Sequence, residues 1–268
     1  MLEATLALLA GLVVGSFLNV CIYRWPRDLS VIRPRSHCPA CQHPLAWYDN
    51  LPLVSFIVLL GRCRHCGNPI SWRYPLVELL TGGLFFTTVL TYGPTLVALK
   101  WCVFTALLLG LIFADLEQRI LPDELSLTGI VIGLVLVMLA PGEEGVVSLL
   151  LSREWSPARR ALVEALISAA IAAGLLWWIG LLYKALRRRE GLGFGDVKMV
   201  ALIGVYLGLQ GALFAVVAGS VVGAVAGSIY TLAKRKPVLT QELPFGTFLG
   251  LAALALVYLW PHGAAGGP

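Results

Sequence analysis

Four cysteines in the 268-residue chain fall into two CxxC pairs, Cys38-Pro-Ala-Cys41 and Cys63-Arg-His-Cys66, separated by 21 residues. Each pair can offer two thiolates from one tight knuckle. Four thiolates close a tetrahedral zinc shell and leave no position for a reactive water. The spacing therefore points to a structural zinc site of Cys38, Cys41, Cys63 and Cys66, with two disulfides or unrelated thiols as the competing reading. His37, His43 and His65 stand beside the quartet as alternative ligands or as solvated surface residues. Gly67 follows the second pair, where a left-handed turn would let backbone amides face the sulfurs. Cys21 and Cys102 lie inside apolar runs and read as small buried hydrophobes.

Two aspartates form the second chemical feature. Asp115 ends a long apolar run as Phe113-Ala114-Asp115-Leu116-Glu117, and the chain continues through Leu121-Pro122-Asp123. Asp196 closes Gly191-Leu192-Gly193-Phe194-Gly195-Asp196 and opens another apolar run. A carboxylate at membrane depth costs several kcal/mol unless it has a partner or a role. Two such groups brought together cannot easily ionise twice: one keeps a proton while the other draws a proton from water, which then attacks an amide carbonyl. Gly193 and Gly195 would let the backbone approach a substrate strand closely and adopt dihedrals closed to other residues. The spacing GxGxGD, with no strand before it, does not make a dinucleotide site. Other readings stay open: Asp196 and Asp123 as helix caps, Asp115 as a loop carboxylate near Arg119, or the pair as a proton relay in a transporter.

Positioning these residues falls to a membrane scaffold. The chain is 58% hydrophobic and 13% charged, against about 25% charged in an ordinary soluble domain. This excludes a soluble single domain as well as collagenous and disordered classes. Eight apolar segments can be drawn at 2–23, 76–92, 95–114, 125–140, 160–184, 197–208, 211–232 and 245–260. The fold class expected is an all-α polytopic membrane protein of about eight transmembrane helices, with a small cytoplasmic zinc-binding segment between the first two. Segment 197–208 is short for a hydrocarbon layer of about 30 Å. With the N-terminus outside, sixteen of the 20 lysines and arginines fall at cytoplasmic connections, as the positive-inside rule requires. That topology puts Asp115 and Asp196 at the same membrane border. The organisation expected is a first helix at 1–23, the zinc-binding segment at 24–75, a helical core at 76–262 and a flexible tail at 263–268. No internal repeat of 20 to 50 residues is discernible, and the external connection 141–159 has no assigned role.

The residues resemble the bacterial type IV prepilin peptidases, also called prepilin leader peptidase/N-methyltransferases, over nearly the whole chain. Gly15-Ser16-Phe17-Leu18-Asn19-Val20 with Ile22-Tyr23-Arg24 and Pro26 is similar to the family's N-terminal signature. Arg35-Ser36-His37-Cys38-Pro39-Ala40-Cys41 resembles its first zinc knuckle, and Arg73-Tyr74-Pro75-Leu76-Val77-Glu78 the start of its second helix. Asp115 with Leu121-Pro122-Asp123 is similar to the segment of the first catalytic aspartate, and Gly193-Phe194-Gly195-Asp196 to the GxGD motif of the second. GxGD also occurs in presenilin-type proteases, which lack the zinc segment.

The resemblance implies an inner-membrane aspartic endopeptidase with Asp115 and Asp196 as its catalytic pair, Gly193 and Gly195 supporting the second, and zinc on the four cysteines. It implies cleavage of the basic leader from prepilins or pseudopilins whose apolar N-terminal helix stands in the bilayer. It further implies methylation of the new N-terminal residue by S-adenosylmethionine, for which no binding residues can be derived; Asn19 and Glu78 are weak candidates beside roles in helix packing. The alternative is a proton-coupled transporter using the same aspartates. A nucleic-acid partner is not expected, since it leaves the intramembrane carboxylates without a role.

Overall fold

The structure, a computed structural model, describes residues 1–142, 145–188, 191–234 and 244–259. The described residues are helical, without strands, and form α1 (Leu2–Arg24), α2 (Val54–Val58), α3 (Arg73–Tyr92), α4 (Leu96–Gln118), α5 (Asp123–Leu139), α6 (Pro157–Arg187), α7 (Phe194–Lys234) and α8 (Phe245–Leu259). Two compact units divide the chain, Met1–Gly110 and Leu111–Pro268. The expected tail at 263–268 lies outside the described residues.

Local chemistry sets the helix ends. Thr95 Oγ1 accepts the Ala98 N–H at 3.2 Å and opens α4, and Arg119, at φ 55°, closes it with its N–H on the Asp115 carbonyl. Ser156 caps α6, where Pro157 follows at a position whose N–H would have no helical partner. Gly208 stands inside α7 at φ 67° and ψ −176°, values closed to other residues, and breaks the helix. The two adjoining apolar segments expected at 197–208 and 211–232 are thus two helices that meet at Gly208 within the range of α7. Among the described residues, five helices are long and apolar enough to cross a membrane, namely α1, α3, α4, α6 and α7, while α8 is shorter. Their number does not confirm eight crossings.

Large apolar side chains point outward, among them Leu9, Val13, Trp177, Trp178, Val221 and Ile229, as lipid-facing surfaces allow. Small residues therefore carry the helix contacts. In the first unit α1 packs along α3, and a Cβ on Gly15 would lie only 2.7 Å from the Glu78 Cα. Asn19, 1% exposed, donates from Nδ2 to the carbonyls of Gly15 and Tyr74 at 3.2 and 3.1 Å, so its amide nitrogen links α1 to α3. Glu78 accepts the N–H of Leu53 at 2.8 Å and holds the turn before α2. In the second unit α7 is the central helix, packed on α5, α6 and α8.

Gly15→Leu, which places a side chain where α1 and α3 meet backbone to backbone, is expected to destabilise the protein by about 1–3 kcal/mol or more, the usual cost of overpacking. Thermal unfolding in detergent checks this.

Candidate active site and metal centre

The segment between α1 and α3 folds around its cysteines. Cys38 N–H bonds to the His43 carbonyl at 3.0 Å and Gln42 N–H to the Cys38 carbonyl at 2.8 Å. Twenty-five residues on, Cys63 N–H bonds to Asn68 and Gly67 N–H to Cys63, at 2.8 and 2.9 Å. The outer bonds repeat too, from Leu45 to Ser36 and from Ile70 to Gly61. Gln42 and Gly67, each directly after the second cysteine of its pair, have φ of 59° and 71°. The two knuckles are therefore copies of one turn. The signal was CxxCxxP followed by Leu or Ile, too short to register at the scale of ordinary repeats.

The four sulfurs lie within 4.8 Å of one another, and Cys38 Sγ is 3.8 Å from Cys66 Sγ. A tetrahedral ion with metal–sulfur bonds of about 2.3 Å has a sulfur–sulfur edge of about 3.8 Å, so the quartet could hold zinc. None of the six cysteines is in a disulfide. The Cys63 sulfur accepts the His65 N–H at 3.4 Å. His43 and His65 stack on each other with centroids 3.8 Å apart, and His37 Nδ1 lies 3.0 Å from the Arg35 carbonyl. The histidines thus surround the sulfur cluster without joining it. Cys21 and Cys102 are buried, at 0% and 7% exposure.

The carboxylates belong to the second unit. Asp115, 5% exposed, sits in the last turn of α4. Its Oδ2 accepts the Thr247 N–H at 2.6 Å and the Thr247 hydroxyl at 2.9 Å. Arg119, one turn on, adds a positive charge that Asp115 feels. Asp196 lies in the first turn of α7, with its N–H toward the Gly193 carbonyl at 3.2 Å. It is close enough for the negative charge of Asp115 to act on it. Leu121 ties the two places together. A Cβ on Gly195 would come within 3.1 Å of Leu121, and one on Gly246 within 3.0 Å of Leu121 and 3.2 Å of Asp115 Oδ2.

Gly193 and Gly195 have no unusual dihedrals, since neither lies in the left-handed region. A Cβ on Gly193 would crowd the Asp196 carboxylate at 3.3 Å. Asp123 does not cap α5: Pro122 holds the cap position, and Asp123 pairs with Lys198 Nζ at 2.5 Å. That ion pair joins the start of α5 to the start of α7. Thr247 and Gly246 were not anticipated. Their one signal was a Gly-Thr step opening the last apolar run, at the border where the aspartates were expected.

Helices that can cross a membrane, two interacting carboxylates at helix ends and a separate four-sulfur centre define a polytopic membrane protein with a carboxylate-pair site. Residues 9–92 match the Bacterial Peptidase A24 N-terminal domain, and residues 102–228 match the Type IV leader peptidase family. The Prepilin leader peptidase/N-methyltransferase of Myxococcus xanthus (strain DK1622) is 41% identical over 234 residues, which cover 87% of this chain and 64% of that relative. Proteins of the same name from Aeromonas hydrophila and Neisseria gonorrhoeae are 35% and 33% identical, over 96% and 86% of this chain and 90% and 83% of their own lengths. The chain belongs to the type IV leader peptidase family. No solved structure matches it. The comparisons give no support to the transporter alternative.

Replacing Cys38 and Cys63 together by serine is expected to abolish metal binding and expose the 24–75 segment to proteolysis, while the unaltered protein carries one ion per chain. Elemental analysis and limited proteolysis read both effects.

Proposed function

We propose that this protein is a membrane aspartic endopeptidase that removes the basic leader from prepilins or pseudopilins and then N-methylates the new N-terminal residue. The observation that carries the first activity is that Asp115, buried and doubly hydrogen-bonded to Thr247, and Asp196, next to Gly195, lie at one place, since a Cβ on Gly195 and one on Gly246 beside Asp115 would both meet Leu121. The names of the relatives supply the substrate class and the second activity.

Cleavage needs no covalent intermediate. One carboxyl carries a proton toward the scissile carbonyl oxygen while the other, ionised, takes a proton from water. The water oxygen bonds to the carbonyl carbon, the C–N bond breaks, and the departing nitrogen takes up a proton to become the new α-amine. Thr247 anchors Asp115, and Gly193 and Gly195 leave room around Asp196. An apolar substrate helix in the bilayer, with its leader in the cytosol, brings the junction to these residues. The orientation proposed is a bacterial inner-membrane protein with its N-terminus outside and its carboxylates at the cytoplasmic border, supported by the basic residues clustered at the connections on that side.

Cys38, Cys41, Cys63 and Cys66 would hold a zinc ion whose closed shell gives it a structural role. S-adenosylmethionine supplies a methyl on a sulfonium for transfer to the new amine. That amine, with an ordinary pKa of about 7.7–8.0, is partly neutral at physiological pH and nucleophilic without a strong base.

Asp115→Asn and Asp196→Asn are each expected to abolish leader cleavage while the protein inserts and keeps its metal; robust cleavage by either variant rejects the assignment. Thr247→Val removes the hydroxyl donor to Asp115. Hydrogen bonds to charged groups contribute about 1.5–3 kcal/mol, so a loss in kcat on the order of tenfold to a hundredfold is expected, largely restored in Thr247→Ser.

A further inference from the structure

We propose that Lys198 is a positioning residue for the carboxylate pair: its ion pair with Asp123 fixes the rotation of the first turn of α7, and with it the place of the Asp196 carboxylate. The inference rests on the peptidase half of the proposed function. The two acids are held by different means. Asp115 takes two donors from Thr247. Among the described residues no side chain donates to Asp196, so its carboxylate goes where the turn of the helix carries it.

That turn is gripped from the far side. Residues of an α-helix follow one another at about 100° around its axis. Phe194 and Lys198, four residues apart, therefore project on one side of α7, and Asp196 projects on the other, about 200° from Lys198. Lys198 Nζ lies 2.5 Å from Asp123 Oδ1 at the start of α5 and 5.1 Å from the centroid of the Phe194 ring. The ammonium is thus shared between a carboxylate of the neighbouring helix and a ring of the GxGD motif itself. Leu121, against Gly195, is a steric stop on the same turn.

The other contacts between α5 and α7 lie deeper. Tyr206 Oη donates to the Gly129 carbonyl at 3.4 Å, and a Cβ on Gly133 would come within 2.4 Å of the Tyr206 ring. They set the spacing of the two helices about three turns beyond Asp196, and leave the rotation of the first turn to the ion pair. The leverage is large. A side-chain group stands about 5–6 Å from the helix axis, so a rotation of about 10° moves it by about 1 Å. A misplacement of that size can cost about a hundredfold in rate. Stability should hardly register the same change, because Asp123 is 52% exposed and ion pairs open to solvent contribute little to folding.

The test measures kcat and KM for cleavage of a prepilin-type substrate by the full-length protein in detergent, with thermal unfolding of every variant. Lys198→Met and Asp123→Asn should each lower kcat on the order of tenfold to a hundredfold, with KM within about twofold and the unfolding midpoint nearly unchanged. Lys198→Arg, and the exchanged pair Asp123→Lys with Lys198→Asp, should recover most of the loss. Full activity in Asp123→Asn beside a silent Lys198→Met, with no recovery in the exchanged pair, would overturn the proposal in favour of an ammonium that touches the substrate. A raised KM at unchanged kcat, or a fall in kcat matched by a large drop in the unfolding midpoint, would also overturn it. No cleavage by the unaltered protein would remove the peptidase reading itself, and the positioning role with it.

Discussion

An ionisable carboxyl buried at the end of an apolar helix is tolerated only with donors in reach, and in the second unit that requirement organises the helix ends. Asp115 takes two donors from one residue, Thr247, so the first turn of α8 must come up against the last turn of α4. That approach leaves no room for a side chain at residue 246, where a Cβ would meet both Leu121 and the carboxylate. Leu121 in turn fills the space above Gly195, one residue before Asp196. The Asp123–Lys198 pair ties the start of α5 to the start of α7. Four helix termini are thereby drawn to one place by contacts of ordinary kinds, and the two acids share it.

The first unit solves a different problem. A segment of about 50 residues between two helices buries too little apolar surface to hold itself together, and the four sulfurs replace the missing core. Using one turn twice is an economical way to present them, because each copy orients its pair by the same three backbone bonds. The apolar side chains of α2 and its flank, including Ile57, Val58 and Leu60, are left exposed. They suit a segment resting on a membrane surface better than one folded in water.

Much of this was legible because the informative residues are chemically rare in their settings. Thiols in paired CxxC turns, and aspartates at the ends of apolar runs, have few alternative uses. Apolar runs also marked the helices, and the division expected between 208 and 211 falls beside Gly208, whose dihedrals end one helix before the next begins. Thr247 was invisible for the opposite reason. Threonine is common in apolar helices, and this one meets a carboxylate 132 residues away, a pairing that only the fold creates. The glycines of the GxGD motif were recognised, but unusual dihedrals are not their reason: neither has a positive φ, and a Cβ at either would be tight against Asp196 or Leu121. Asp123 read as a cap because caps are local, whereas its partner Lys198 lies on another helix.

The central claim is that the two carboxyl groups act together on one peptide bond through water, with no covalent stage. Hydrolysis of a prepilin-type substrate in ¹⁸O-labelled water, followed by intact mass spectrometry of leader, mature chain and protein, tests it most directly. The expected result is one labelled oxygen in the new carboxyl of the released leader, with no leader–protein adduct at any time, and no product from Asp196→Asn. A leader–protein adduct that forms and decays with turnover, or labelled leader released by Asp196→Asn, would contradict it.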